Sequence, residues 1–239
     1  MCNLYSLTKG QTAILNVVRA TLDKTGNLPP LPGIYPDYAA PIVRQANGVR
    51  ELAMARWGMP SSKKAILDAA SKRADKLRAK GKEVDFDQLL RDEPDSGTTN
   101  VRNTSSAHWK PWLTPAHRCL VPFTAFSEPG RDEAGKHCPI WFRLAGDDPA
   151  PLAFFAGIHL PSWEGVRKIK TGRETADLFA FLTTEPNAEV GAVHPKAMPV
   201  ILTKSDEWEA WLSAPWTEAV QLQRPLPDKA LVGCPAPTT

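Results

Sequence analysis

The spacing of hydrophobic residues changes several times along this chain, and each change marks an element. Leu4, Tyr5 and Leu7 read as a short strand with Cys2 at its start. Thr8 stands where a helix N-cap belongs, and Ile14, Leu15, Val18 and Leu22 recur at three- and four-residue steps, which predicts a helix over 9–23 with Gly26 as its stop. From Asn27 to Pro41 the chain is dense in proline and reads as an extended surface loop. Apolar alternation then predicts strands over 42–44 and 51–57, joined through Ala46-Asn47-Gly48, a hairpin signal.

Residues 61–98 break this β pattern. Ser61 or Ser62 can cap a helix whose apolar stripe is thin (Ile66, Leu67, Ala70, Leu77) and whose remaining surface is crowded with lysine and arginine as far as Gly81. A second short helix over 86–91 carries compensating acids. The basic helix suits a run of phosphates, although such a face is commonly only solvated. Beyond it, the polar run Asn103-Thr104-Ser105-Ser106 can cap a short helix through His108, Trp109 and Trp112, and 118–126 reads as an apolar strand with Glu128 just past its end. Strands over 139–144, 152–159, 178–182, 200–202 and 230–234 follow, with helices over 206–212 and 215–221. Short turns between successive strands make the sheet largely antiparallel, and the whole reads as one α+β domain over 1–239 with a basic helical excursion at about 61–98.

Composition supports this and narrows the function. The chain has 239 residues, of which 42% are hydrophobic, enough for a proper core. The N-terminus lacks a secretory pattern and no apolar run approaches a membrane span, so the expectation is a soluble cytoplasmic protein. Cys2, Cys119, Cys138 and Cys234 have no paired spacing, which points to thiols rather than to a metal site or a disulfide framework. A net charge of +3 permits nucleic acid as a partner without demanding it.

The first residues carry the most chemistry. Removal of Met1 by an aminopeptidase would place an α-amine, with a reference pKa of about 7.7–8.0, beside the thiol of Cys2. An aldehyde attacked by that amine gives a Schiff base, and the thiol can close on it to form a thiazolidine. A cysteine after Met also suits a plain strand start. Glu128 reads either as a carboxyl in a dry setting with a raised pKa or as an exposed turn residue. His194, held before Pro195, suits either a structural hydrogen bond or a general acid or base.

Taken in order, Met1-Cys2, Arg56-Trp57-Gly58-Met59-Pro60, Asn103, Arg118-Cys119-Leu120-Val121-Pro122 running into Phe126-Ser127-Glu128, and His194-Pro195-Lys196-Ala197-Met198-Pro199-Val200-Ile201-Leu202 resemble the SOS response-associated peptidase (SRAP) family over nearly the whole chain. The resemblance implies a barrel-like β core with peripheral helices. It also implies shielding of abasic sites in single-stranded DNA by a covalent cross-link through the N-terminal cysteine, without metal or organic cofactor, by a monomer that joins the nucleoid when bound to DNA. By position Cys2 matches the nucleophile, Asn103 the active-site asparagine, Glu128 the glutamate near the amine and His194 the histidine of the last motif. DNA contacts fall to Asn3, Arg56, Trp57, Met59, Pro60, Ser105 and Lys196.

The sequence also departs from the family pattern. Asn3 and Leu4 replace the usual Gly-Arg, Asn103-Thr104-Ser105-Ser106-Ala107 stands for Asn-Ala-Arg-x-Glu, and Pro129 follows the glutamate where an aromatic is common. Two phosphate-binding arginines are thereby lost, and Lys196, Arg56 and the basic helix are the cations left to replace them. A rival reading makes the protein a thiol peptidase, with Cys2 attacking a carbonyl, His194 as base and Glu128 as orienter, and with removal of its own Met1 as a limited case. A third is a non-covalent nucleic-acid module in which Cys2 is incidental.

Overall fold

The hairpin at Asn47-Gly48 starts the barrel. Both residues take positive φ, 52° and 75°, as a turn matched to strand twist requires, and they join strands Ala39–Ala46 and Val49–Trp57. In the computed structural model, which describes residues 2–238, these two strands and Arg118–Phe123, Ala153–Val166 and Arg173–Thr184 pair antiparallel in sequence around a ring. The ring closes where Leu178 and Phe179 meet Arg56 and Trp57 in parallel. The β core is therefore a five-stranded barrel, antiparallel except at its seam. Gly157 lets two of its strands nest, since a Cβ there would lie 2.7 Å from Cys119 Sγ.

A second, wholly antiparallel sheet runs Leu231–Cys234, His137–Leu144, Ala125–Arg131, Leu4–Leu7, Leu31–Ile34. Its inner face brings Tyr5 edge-on to Trp57, Phe155 and Phe181, with ring centroids 5.1, 5.6 and 6.1 Å away. The expected single strand over 118–126 is thus two strands, bent between sheets at Thr124. That buried hydroxyl group meets the Ser6 and Thr8 hydroxyls at 3.2 Å each and accepts from Thr8 N–H at 3.1 Å, so the N-terminal strand pins the bend. Glu128 consequently lies within a strand, opposite Ile140, rather than past its end.

Three other expectations change. The first helix spans only Gln11–Val18 and is capped by Gly10; Thr8 is engaged with Thr124, and Arg19 turns left-handed (φ 51°) to end the helix. Leu22, expected on its buried face, is exposed in a two-residue strand beside Glu51. The proline-rich loop contains the strand Leu31–Ile34, whose Ile34 packs in the core. Residues 104–113 form a turn and a 3-10 helix, Lys110–Leu113, in place of an α-helix.

The excursion helices start and stop where their sequence signals put them, but of the expected apolar stripe Leu67 is exposed and Ile66 and Leu77 are only partly buried. Ser62 Oγ accepts from Ala65 N–H at the start of the helix Lys63–Arg78, and Asp85 caps Phe86–Arg91. Ala70 and Ala74 are its buried residues, while Arg73 reaches Glu93 at 2.8 Å. The excursion leaves and rejoins the body at one neck, where Met59 and Thr98 pair and Gly58 lies against Gly97. A Cβ on Gly97 would fall 2.5 Å from Arg167 Nη1, and Gly97 also needs φ +79°, so glycine is required there twice over. Arg167 ties the neck by donating to the carbonyls of Asp95 and Gly58. Among the described residues no helix is long and apolar enough to cross a membrane.

Candidate active site

The site forms at the N-terminal end of the strand Leu4–Leu7, which the second sheet holds between Ala125–Arg131 and Leu31–Ile34. Cys2 is completely buried there, its thiol 3.5 Å from Leu4 O and its carbonyl accepting from Asn100 Nδ2 at 2.8 Å. Its backbone N–H donates to the carboxylate of Glu128. Burial pushes the Cys2 thiol far above the ordinary thiol range, and the charge of Glu128 adds to the effect.

Glu128 is itself 1% exposed, and burial raises its pKa from 4.5 to about 7, against the downward pull of hydrogen bonds such as that from Cys2 N–H. This is the raised carboxyl that sequence left undecided. A carboxyl poised near neutrality can both take and return a proton. His194 Nε2 lies 4.0 Å from Glu128 Oε2. The His194 backbone N–H donates to Val190 O at 2.7 Å at the end of the short helix Ala188–Gly191, which Asn187 caps, so the chain before Pro195 is fixed. Partial burial lowers the His194 pKa, with help from the Lys196 charge, and favours the neutral imidazole.

Cys2, Glu128 and His194 therefore lie next to one another although 192 positions separate the first from the last. Met1, whose removal the chemistry requires, lies outside the described residues. Asn103 is not beside them. It is exposed, and its side-chain oxygen accepts from Ser105 N–H and Oγ at 3.1 and 2.6 Å in a local turn that also occupies Ser105. The asparagine at Cys2 is Asn100, which sequence reasoning missed; among the described residues its buried Oδ1 has no hydrogen-bond partner. The signal was present, because Asn100-Val101-Arg102 keeps the Asn-x-Arg spacing of the family motif and Asn103-Thr104-Ser105 does not.

The proposed DNA contacts divide. Trp57 and Met59 are 1% and 0% exposed, and Trp57 stacks on Phe181 at 5.1 Å and donates to Thr99 O, so neither offers a surface to a base. Arg56 makes a two-pronged ion pair with Glu174 at 2.8 and 2.9 Å and lies 3.6 Å from Asp37, so a phosphate would have to displace a carboxylate. Pro60 is half-buried, its carbonyl 3.0 Å from His108 Nε2. Asn3 and Lys196 are exposed. Asn3 lines a cavity of about 440 Å³ with Leu4, Tyr35, Pro36, Pro129 and Pro139, and Tyr35 and Tyr38 stand exposed beside each other with ring centroids 5.5 Å apart.

Comparison with known proteins agrees with this architecture. The family model described as "SOS response associated peptidase (SRAP)" matches residues 1–238. Among solved structures, a Bacteroides thetaiotaomicron protein has a TM-score of 0.64 at 18% identity, covering 97% of this chain and 90% of its own. A Bordetella bronchiseptica protein has a TM-score of 0.61 at 25% identity, covering 97% and 98%, and a phage-related protein from the same organism 0.62 at 18%, covering 98% and 93%. No curated protein matches the chain.

Proposed function

Because the chain belongs to the SOS response associated peptidase (SRAP) family, and with it to the response to DNA damage, we propose that it captures abasic sites in single-stranded DNA as a thiazolidine on Cys2. The observation that carries the proposal is the hydrogen bond from Cys2 nitrogen to Glu128, a carboxyl with its pKa near 7. Once Met1 is removed that nitrogen is the α-amine. Glu128 takes a proton from the ammonium, the free amine adds to the open-chain aldehyde of the abasic sugar, and the carboxylic acid so formed returns the proton to the carbinolamine hydroxyl, which leaves as water. The thiol then adds to the imine carbon: the S–C bond forms and the thiol proton passes to nitrogen. His194, 4.0 Å from Glu128, protonates the sugar oxygen as the ring opens, through the minor protonated form of an imidazole held mostly neutral.

The same geometry counts against the peptidase alternative. A thiol whose pKa burial and a neighbouring carboxylate both raise is a poor nucleophile toward an external peptide carbonyl. Closing a five-membered ring on its own carbon skeleton compensates through proximity.

Asn100 takes the role that the sequence assigned to Asn103. Its Nδ2 holds the Cys2 carbonyl, and its unpaired Oδ1 is placed to accept from a sugar hydroxyl. Asn100→Ala is expected to slow cross-linking of an abasic strand by roughly 10- to 100-fold, about the loss of one or two good hydrogen bonds, while Asn103→Ala stays within a few-fold of wild type. Single-turnover gel assays distinguish the two, and the opposite ranking would restore Asn103.

With Arg56 held by carboxylates and Trp57 in the core, the cations near Cys2 are Lys196 and Arg102, while Tyr35 and Tyr38 are the aromatic surface near Asn3. Arg102 keeps the family's Asn-x-Arg spacing, so only the arginine expected at position 4 is lost, and its exposed ion pair to Glu185, at 3.3 Å, is open to exchange for a phosphate. Affinity for undamaged single strands should fall with salt at a log–log slope of about −0.7 per phosphate contacted. Lys196→Ala should remove roughly one such contact and slow capture only at limiting DNA. On the excursion Arg73 is engaged with Glu93, whereas Lys72 and Lys76 are exposed. If replacing those two leaves the slope unchanged, that helix is a solvated face.

A further inference from the structure

Beyond the cleft, one cavity has the make-up of a base-binding pocket. About 550 Å³ in volume, it lies between the 3-10 turn Lys110–Leu113 and the short helix Trp216–Ala219, with Trp216, Val220, Leu113 and Pro115 as apolar walls and Lys110 and Ser105 at its polar edge. None of its lining residues is acidic. Elsewhere, the cavity between the excursion helices is lined by Glu83, Asp85, Asp92 and Glu93 against a single Arg73, which disfavours a polyanion. In the larger one near the C-terminus Arg224 is paired with Glu207 and Lys204 is offset by Asp228, which leaves no net positive charge for one. Lys110 is exposed and makes no ion pair among the described residues. Its charge is free for a phosphate.

Position links this cavity to the cleft. Thr104, on its rim, is four residues from Asn100, so the two Cα atoms are at most about 14 Å apart even along an extended chain. The rim is braced in place: Thr104 Oγ1 donates to Gln223 Oε1 at 2.9 Å, and Gln223 Nε2 donates to the carbonyls of Arg102 and Thr183. Trp216 packs edge-on to buried Trp211 with centroids 6.2 Å apart. A concave apolar site with an aromatic wall and one unpaired cation at its edge suits a nucleobase and its phosphate.

We infer that the Trp216 cavity takes a base of the same single strand, a few nucleotides from the abasic position, with the adjoining phosphate on Lys110. This rests on the single-strand binding proposed above. Full-length protein is mixed with undamaged oligothymidine carrying one 5-iodouracil, irradiated, and mapped by peptide mass spectrometry, with affinity measured in parallel for Val220→Phe, which fills the cavity, and for Lys110→Ala. The expected result is a nucleotide on the Trp216 peptide, lost in Val220→Phe, with affinity weakened about fivefold or more as one stacked base is removed. Lys110→Ala, which leaves the apolar walls intact, should reduce the salt slope by about 0.7; its melting temperature and that of Val220→Phe are compared with wild type. If the strand binds but the nucleotide attaches only elsewhere and Lys110→Ala keeps the wild-type slope, the cavity assignment is overturned while single-strand binding stands. Failure of the wild-type protein to bind the strand overturns the underlying proposal together with the cavity.

Discussion

Cys2→Ser gives no heat-stable adduct with an abasic strand, yet still yields a species trapped by borohydride. Serine keeps the α-amine next to Glu128, so the Schiff base still forms. The hydroxyl is a far weaker nucleophile than a thiol and the imine stays open to hydrolysis. Complete loss of stable product, against retention of reducible product, is a larger effect than any other substitution should produce. A heat-stable adduct from the serine variant at the wild-type level would remove the thiazolidine from the mechanism.

Glu128→Gln is expected to slow cross-linking by about 10²- to 10⁴-fold, the usual range for loss of a positioned proton donor and acceptor, and to change the shape of its pH dependence. In the wild type the amine and Glu128 share one proton in the reactive state, so the rate falls at low pH as both become protonated and at high pH as both lose protons. With Glu128 titrating near 7, the acid limb lies at or below about pH 7, and it belongs to the coupled pair. Glutamine cannot titrate, so the variant keeps only the acid limb of the amine itself, with a reference pKa of about 7.7–8.0, and loses the fall at high pH that reports the loss of the Glu128 proton. The same shift affects stability. The folded pKa lies above the unfolded value of 4.5, so the contribution of Glu128 is fully present below about pH 4.5 and is lost as pH rises through 7. Melting temperature should therefore decline for wild type across that window more steeply than for Glu128→Gln. Equal slopes would place the raised pKa elsewhere.

How much of this was legible depended on how local each cause is. The hairpin at Asn47-Gly48 and the excursion helix between Ser62 and Gly81 were readable because a positive φ and a side-chain cap act within a few residues. The strand through Glu128 was not, because Pro129 reads as a terminator. In the fold Pro129 faces Pro139, and a facing pair that lacks both N–H groups fits a position where the ladder needs neither. The burial of Trp57 depends on Tyr5, Phe179 and Phe181, brought in from distant segments, so Trp57-Gly58 alone reads equally well as a core contact or a wedge. Matching by position along the family pattern puts its asparagine at Asn103. The Asn-x-Arg spacing to Arg102 favours Asn100 instead, and Asn100 is the one that donates to the Cys2 carbonyl.

Intact mass spectrometry of the purified chain before and after incubation with an abasic single strand tests the central claim most directly. The protein is predicted to lack Met1, to gain the mass of the strand less one water at Cys2, and to take up no hydrogen on borohydride treatment, because the ring is closed. A chain that remains unmodified under these conditions, or an adduct mapped to any residue other than Cys2, would contradict it.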